Sequence, residues 1–354
     1  MPRPIRASLD LSALEHNLRI VRRRTSARIM AVLKASAYGH GLLPAAAALD
    51  AADGFALLDI NDAMVLREAG HRQVILLLEG FFGADDVQLA AEYDLACVIH
   101  NPQQLALLDA YPRRGRLQVW LKVNSGMNRL GFAPQDVPAV MEKLKAHPAI
   151  REITLMTHFA QADETAGVAA QLELFNTLAA PYRVARSLAN SAALLRYPAT
   201  HADWVRPGIM LYGISPFAET SAQQLGLRPV MTLRSEIIAV QTLRSGDSVG
   251  YGATYTAEAG MRIGTVACGY ADGYPRHAPG GTLVRVADRL TRTVGRVSMD
   301  MLCVDISALP DADVGSSVVL WGEGLPVEEV ARAAGTISYE LLCALAARVP
   351  VQNQ

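Results

Sequence analysis

The sequence predicts an α/β protein in two parts, an N-terminal (β/α)8 barrel over residues 1–227 and a mostly β domain over 228–354. Three observations predict it. Short apolar runs alternate with segments of helical period, in roughly eight units over the first 225 or so residues. Polar residues suited to chemistry recur at the same ends of the strands: Lys34, Arg129, His158, Asn190, Ser191 and Arg206. After Leu227 the segments shorten, β-rich runs dominate, and glycines become frequent, from Gly246 through Gly252, Gly269 and Gly281 to Gly315. An open doubly wound sheet is the competing arrangement. Functional residues spread over so many strand ends favour a closed, TIM-like barrel with its site at the C-terminal face.

Taken in order, Ile5 to Leu11 reads as a first strand. Ser12 and Glu15 form a capping-box pair for a helix whose Leu14, Leu18 and Val21 share one face. Met30 to Leu33 is an inner strand ending at Lys34, followed by a turn of small residues and an alanine-rich helix from Leu42 to Ala52. Phe55 to Asp59 and Val74 to Leu78 are strands separated by a helix from Asn61 to Ala69, which Gly70 closes. A helix near Ala84 to Ala91 leads to the strand Ala96 to Ile99. Asn101 and Pro102 then cap and start a helix. The strand Leu117 to Val123 ends in the loop Asn124 to Arg129, and a helix follows around Ala139 to Lys145. Ile153 to Thr157 ends at His158, Gln171 to Leu178 is helical, and Val184 to Leu188 runs into Asn190 and Ser191. Trp204 to Tyr212 carries the turn Arg206-Pro207-Gly208. The second domain offers strands at Val230–Leu233, Ile237–Val240, Leu283–Val286 and Leu302–Ile306. Helices near Glu328 to Ala334 and Tyr339 to Ala347 close it.

Composition narrows the function. A formal net charge of −1 provides no field to gather nucleic acid or an anionic membrane surface. The arginine runs Arg22–Arg24 and Arg113, Arg114, Arg116 lack interleaved aromatics and read as solvated surface. No signal core opens the chain, and no window approaches the ~18 apolar residues of a membrane span. Cys97, Cys268, Cys303 and Cys343 are scattered, each inside an apolar segment, and read as buried thiols of a reducing compartment, so a cytoplasmic protein is expected. The sequence contains no HExxH, no Cys/His ligand spacing, no P-loop and no GxSxG elbow, and no metal is expected.

The lysines are the sharpest feature. There are four, Lys34, Lys122, Lys143 and Lys145, against twenty-nine arginines. Arginine serves the surface, so a lysine kept at the end of an apolar strand is retained for an amine that can lose its proton and attack a carbonyl. A snorkelling lysine is the plain alternative. Arg129 and Arg206 sit on glycine-bearing turns where a guanidinium can grip a carboxylate or phosphate. Ser191 and the amides at Gly208 and Ile209 suit phosphate oxygens. Tyr251, between two glycines, can serve as a base if cations lower its phenol; Tyr255 and Tyr270 are rivals on the residues alone. Beside Met299, an exposed amide at a strand end could take a carboxylate.

The motifs VLKASAYGHG, LKVNSGMNRLGF, MTHFA, LANSA, VRPGIMLYG, VGYGATYTA, GYADGYPR and GRVSMDM together resemble bacterial alanine racemases, fold-type III enzymes that use pyridoxal 5'-phosphate (PLP). The resemblance spans essentially the whole chain. It implies an α/β barrel, a β domain, interconversion of L- and D-alanine, and a head-to-tail homodimer whose sites the partner's second domain completes. It implies that Lys34 holds the cofactor aldehyde and moves one proton, and that Tyr251 is the opposing base from the other subunit. Arg206 faces the pyridine nitrogen, His158 lies behind the ring, and Arg129 contacts the phenolic oxygen and substrate carboxylate. Tyr38, Asn190, Ser191, Gly208, Ile209 and Tyr339 line the cofactor side, and the Met299 amide receives substrate carboxylate. Lys122 matches a lysine often carbamylated. The chain departs from the family at Ser36, usually Asp or Asn, at Asn124, commonly Asp, and in its tail RVPVQNQ. A PLP carrier would lack the β domain, a decarboxylase would put a carboxylate where Arg206 stands, and a broad-range racemase would carry an export segment.

Overall fold

A computed structural model describes residues 3–111, 117–258 and 260–354. Arg113, Arg114 and Arg116 lie outside the described residues. The first strand, β1 (Arg6–Leu9), leads into the helix Leu11–Arg24. The cap of that helix is Asp10, whose carboxylate accepts from the Ala13 amide at 3.2 Å and from the Ser12 hydroxyl at 2.7 Å. Ser12 is thus a satellite of the cap, and the expected pairing of Ser12 with Glu15 gives way to a stronger acceptor two residues earlier.

Eight parallel strands then close a barrel: β2 (Arg28–Val32), β3 (Gly54–Leu57), β4 (Val74–Leu77), β5 (Ala96–Ile99), β6 (Leu117–Lys122), β7 (Ile150–Met156), β8 (Ala185–Ser187) and β9 (Trp204–Val205). Pairing of Ile29 with Val205 completes the ring. The strands β3 and β5 are buried along their whole length, because helices cover one face and barrel side chains the other. Trp120 and Trp204 meet with ring centroids 5.7 Å apart. The buried Asn17 ties the first helix to the chain beyond the barrel, donating to Leu211 and Arg228 carbonyls and accepting from the Arg228 amide, each at 2.9 Å.

The second part is a sheet built on one long strand, β10 (Met231–Leu243), which merges the two strands expected at 230–233 and 237–240. A bulge between Ile237 and Ala239 lets its halves serve different neighbours. After the short pair β11 (Ser248–Val249) and β12 (Tyr255–Thr256) come β13 (Met261–Val266), β14 (Leu283–Val286), β15 (Arg289–Val294), β16 (Leu302–Asp305), β17 (Ser317–Trp321) and β18 (Val351–Asn353). The sheet order is β13-β16-β15-β14-β17-β10-β1-β18, with β13 also pairing β10. So β1 is not a barrel strand. It lies antiparallel to β10 and parallel to β18, the departing tail of the chain.

Lys34 follows β2 after the single residue Leu33. Ala35, Ser36, Ala37 and Tyr38 then all adopt left-handed backbone angles, φ between 50° and 55°. None is glycine, and each such residue costs about 1–2 kcal/mol. The neighbourhood holds the turn in place. The neutral ring of fully buried His40 bonds the Ala37 and Tyr38 carbonyls through Nδ1 at 2.9 Å, and burial pulls its pKa down to about 4. The helix Ser338–Cys343, from the far end of the chain, lies on top. A Cβ at Gly39, where φ is +80°, would meet the Leu342 carbonyl oxygen at 2.3 Å, so only glycine admits that approach.

Candidate active site

The barrel mouth opens into a cavity of ≈ 500 Å³ lined by residues at the ends of β2, β3, β4, β6, β7, β8 and β9. Lys34, Tyr38, Lys122, Arg129, His158, Asn190, Ser191, Arg206, Gly208, Ile209 and Tyr339 all lie on its wall. Eleven residues singled out in the sequence are therefore gathered in one place. Tyr251 and Met299 are not among them. Both belong to the second domain and are strongly exposed, at 68% and 53%. Lys143 and Lys145 stand on the surface, paired with Asp109 and Glu142. The scarcity of lysine thus marked two cavity amines out of four.

Arg206 follows β9 and is buried. Its Nη1 donates to Ser187 Oγ at 2.6 Å, and its Nη2 to the Thr157 and Leu188 carbonyls at 2.7 and 3.2 Å. All three acceptors are neutral. Burial lowers its pKa to about 10, which leaves it cationic at neutral pH. Lys122, at the end of β6, is pulled down to about 8 by burial and then by Arg206 and Arg129, with Glu79 opposing. His158 is driven well below its ordinary value by burial, reinforced by Arg206, Lys122, Arg129 and Lys34, so its ring stays neutral.

A set of donors gathers beside these cations. The Ser191 hydroxyl accepts from the Gly208 amide at 2.9 Å, and Asn190 caps the helix Ser191–Arg196 through the Ala193 amide at 3.0 Å. A Cβ on Gly208 would stand 2.5 Å from Tyr38 Oη. The missing side chain therefore keeps that hydroxyl next to the backbone. Tyr38 packs on Tyr212 with centroids 4.6 Å apart and faces Tyr339 at 6.0 Å. Asn124 organises the loop before Arg129. Its Oδ1 accepts from the Gly126 and Asn128 amides at 3.2 and 3.0 Å, so an asparagine supplies the acceptor that an aspartate would.

Cationic side chains, a cluster of hydroxyls and amides, and a lysine within one cavity fit a phosphate-bearing aldehyde together with a carboxylate substrate. The residues present fit PLP. Glu79 and Asp163 also line the cavity and were not singled out in the sequence. Glu79 had a legible cue, a charged residue just past the end of an apolar strand, as at Lys34 and Arg206. Cys343 is exposed rather than buried, because its short helix turns that face outward. Among the described residues no group of three or more His, Cys, Asp or Glu side chains is placed to hold a metal, and no helix is long and apolar enough to cross a membrane.

Comparisons with known proteins find relatives over the whole chain. A family model described as alanine racemase, N-terminal domain, matches residues 9–216, and one described as alanine racemase, C-terminal domain, matches 230–353. The chain is 62% identical over 353 residues to an alanine racemase of Nitrosospira multiformis, covering 99% of each. It is 52% identical to an alanine racemase of Paraburkholderia phytofirmans, covering 100% of both chains. Its fold is similar to the crystal structure of a biosynthetic alanine racemase from Pseudomonas aeruginosa, with TM-score 0.97 and 50% identity over 99% of each chain.

Proposed function

Because the chain belongs to the alanine racemase family, with its PLP-dependent interconversion of L- and D-alanine, we propose how its own residues divide that work. PLP, when bound, supplies an aldehyde for the substrate amine and a conjugated ring that takes up the electron pair left when the α-proton departs. The rest is protein. Lys34 holds the cofactor through Nζ and then moves a proton on one face of the substrate α-carbon. Tyr251 of a second copy moves a proton on the other face, taking it from L-alanine while Lys34 takes it from D-alanine. Racemisation needs proton carriers on opposite faces, and among the described residues the tyrosines lining the cavity, Tyr38 and Tyr339, stand with the phosphate donors.

Arg206 presents donors and no acceptor, so it would give a hydrogen bond to a cofactor ring nitrogen without yielding it a proton. Tyr38, Ser191, Tyr339 and the amides at Gly208 and Ile209 hold the phosphate, with Asn190 fixing the Ser191 turn. His158, held neutral on the cavity wall, would back the ring of a bound cofactor. Arg129 and the second copy's Met299 amide bind the substrate carboxylate.

Lys122 is the remaining amine. Its lowered pKa leaves a substantial neutral fraction near pH 8, the form that captures carbon dioxide. A carbamate there would turn a cation among cations into an anion facing Arg129. Protein equilibrated with 13C-bicarbonate should show one carbamate resonance that Lys122→Ala removes. A wild-type spectrum lacking it would exclude the modification.

The reading also divides the chain at 227/228, with β1 lent to the second sheet, and makes the working unit a cytoplasmic homodimer with shared sites. The exposure of Tyr251 and Met299, both outside their own barrel's cavity, is the observation that carries it. Mixing inactive Lys34→Ala and Tyr251→Ala proteins tests it. Random pairing leaves half the dimers mixed, each with one intact site, so about a quarter of wild-type activity should return. No recovery after verified subunit exchange would mean that each site is self-contained.

A further inference from the structure

Away from the cavity, one charged cluster is built around a fully buried carboxylate. Asp272 ends the turn Tyr270–Asp272. Its Oδ1 accepts from Arg3 Nη1 and Arg348 Nε, both at 2.8 Å, and its Oδ2 from Arg3 Nη2 at 3.1 Å and the Gly269 amide at 2.9 Å. The same two arginines reach further. Arg348 Nη2 donates to Asp300 Oδ1 and Arg3 Nη2 to the Asp300 carbonyl, each at 2.7 Å. Burial alone would raise the Asp272 pKa, but the bonds from Arg3, Gly269 and Arg348 outweigh it and hold the carboxyl below its usual range.

The same turn, with Arg3, holds the backbone from Ser298 to Asp300. The carbonyls of Ser298 and Met299 accept from the amides of Tyr270 and Ala271 at 3.0 and 2.9 Å. The backbone approaches so closely that a Cβ on Gly269 would stand 2.4 Å from both of those oxygens. Carbonyls on either side of the Met299 α-carbon and the Asp300 side chain are thus fixed. Among the described residues, no hydrogen bond uses the Met299 amide itself. Burying a carboxylate is costly, and an apolar residue would fill the space at less expense. What a two-pronged guanidinium adds is direction.

We propose that Asp272, gripped by Arg3 near one end of the chain and Arg348 near the other, is a positioning residue that aims the Met299 amide at the substrate carboxylate. This rests on the reading that the amide receives that carboxylate. The arginines arrive together because β1 and β18, which follow them, are neighbours in the sheet.

The test uses the PLP-loaded full-length protein. Arg348→Lys and Arg3→Lys keep the charge and lose the fork. Each should raise the KM for L-alanine and the inhibition constant of propionate together by about tenfold, with kcat within about twofold. Inhibition by ethylamine, which has the amine and no carboxylate, should not change. Met299→Pro removes the amide hydrogen directly and should weaken alanine and propionate at least as much. If Met299→Pro weakens both and the lysine variants weaken neither, the positioning role is wrong while the amide's role stands. If Met299→Pro leaves both unchanged, the amide's role falls and the proposal with it. Equal weakening of ethylamine and propionate would mean a general disturbance of the fold and would also overturn the proposal.

Discussion

Replacing Lys34 by Ala should lower alanine racemisation by roughly 10⁴-fold or more, because one side chain both anchors the cofactor and carries a proton. The loss should appear in both directions and persist at saturating PLP. The visible absorption of covalently held cofactor should vanish with it. Retention of that band in Lys34→Ala would place the amine's partner elsewhere. The fold should survive, since Lys34 lines an open cavity and the left-handed turn behind it is fastened by His40 and Gly39 rather than by the lysine.

Tyr251→Phe should cost about 10²–10⁴ in turnover, the range for a lost general acid or base. Its signature lies in the two enantiomers. In deuterated water the α-proton of D-alanine should still exchange, because Lys34 works on that face, while exchange from L-alanine should collapse. Proton NMR of each pure enantiomer measures this directly. Equal loss from both would show that Tyr251 does not serve one face, and Tyr255 and Tyr270 would return as candidates. Its flanking residues Gly250 and Gly252, both at φ +73°, place the phenol on a tight exposed loop with few local supports.

The barrel was readable because its strands are short, apolar and regularly spaced, and because polar residues mark their C-terminal ends. Lys34, Arg129, His158 and Arg206 stood out for that reason. The left-handed turn was not readable. Ala35, Ser36, Ala37 and Tyr38 have no local preference for it, and the forces that impose it come from a buried histidine and a helix some 300 residues away. The membership of β1 was hidden for the same reason, since a short strand carries no record of a partner at Leu233 or Val351. Asp10 displaced Ser12 as the cap because two good acceptors stood two residues apart. Only resemblance singled Tyr251 out from Tyr255 and Tyr270, and Met299 had no cue beyond its place at a strand end: their own chain brings neither to the cavity.

The placement of β1 has a consequence for how the polypeptide is made. A ribosome releases Arg6–Leu9 well before the hydrogen-bonding edge it must join, which does not exist until Met231–Leu243 has emerged, and its other neighbour, Val351–Asn353, follows later still. The nascent chain therefore holds an unsatisfied edge throughout translation of the barrel, when stray pairing with other chains is easiest. Arg3, Pro4 and Arg6 around that strand are the residues that keep such an edge unattractive while it waits.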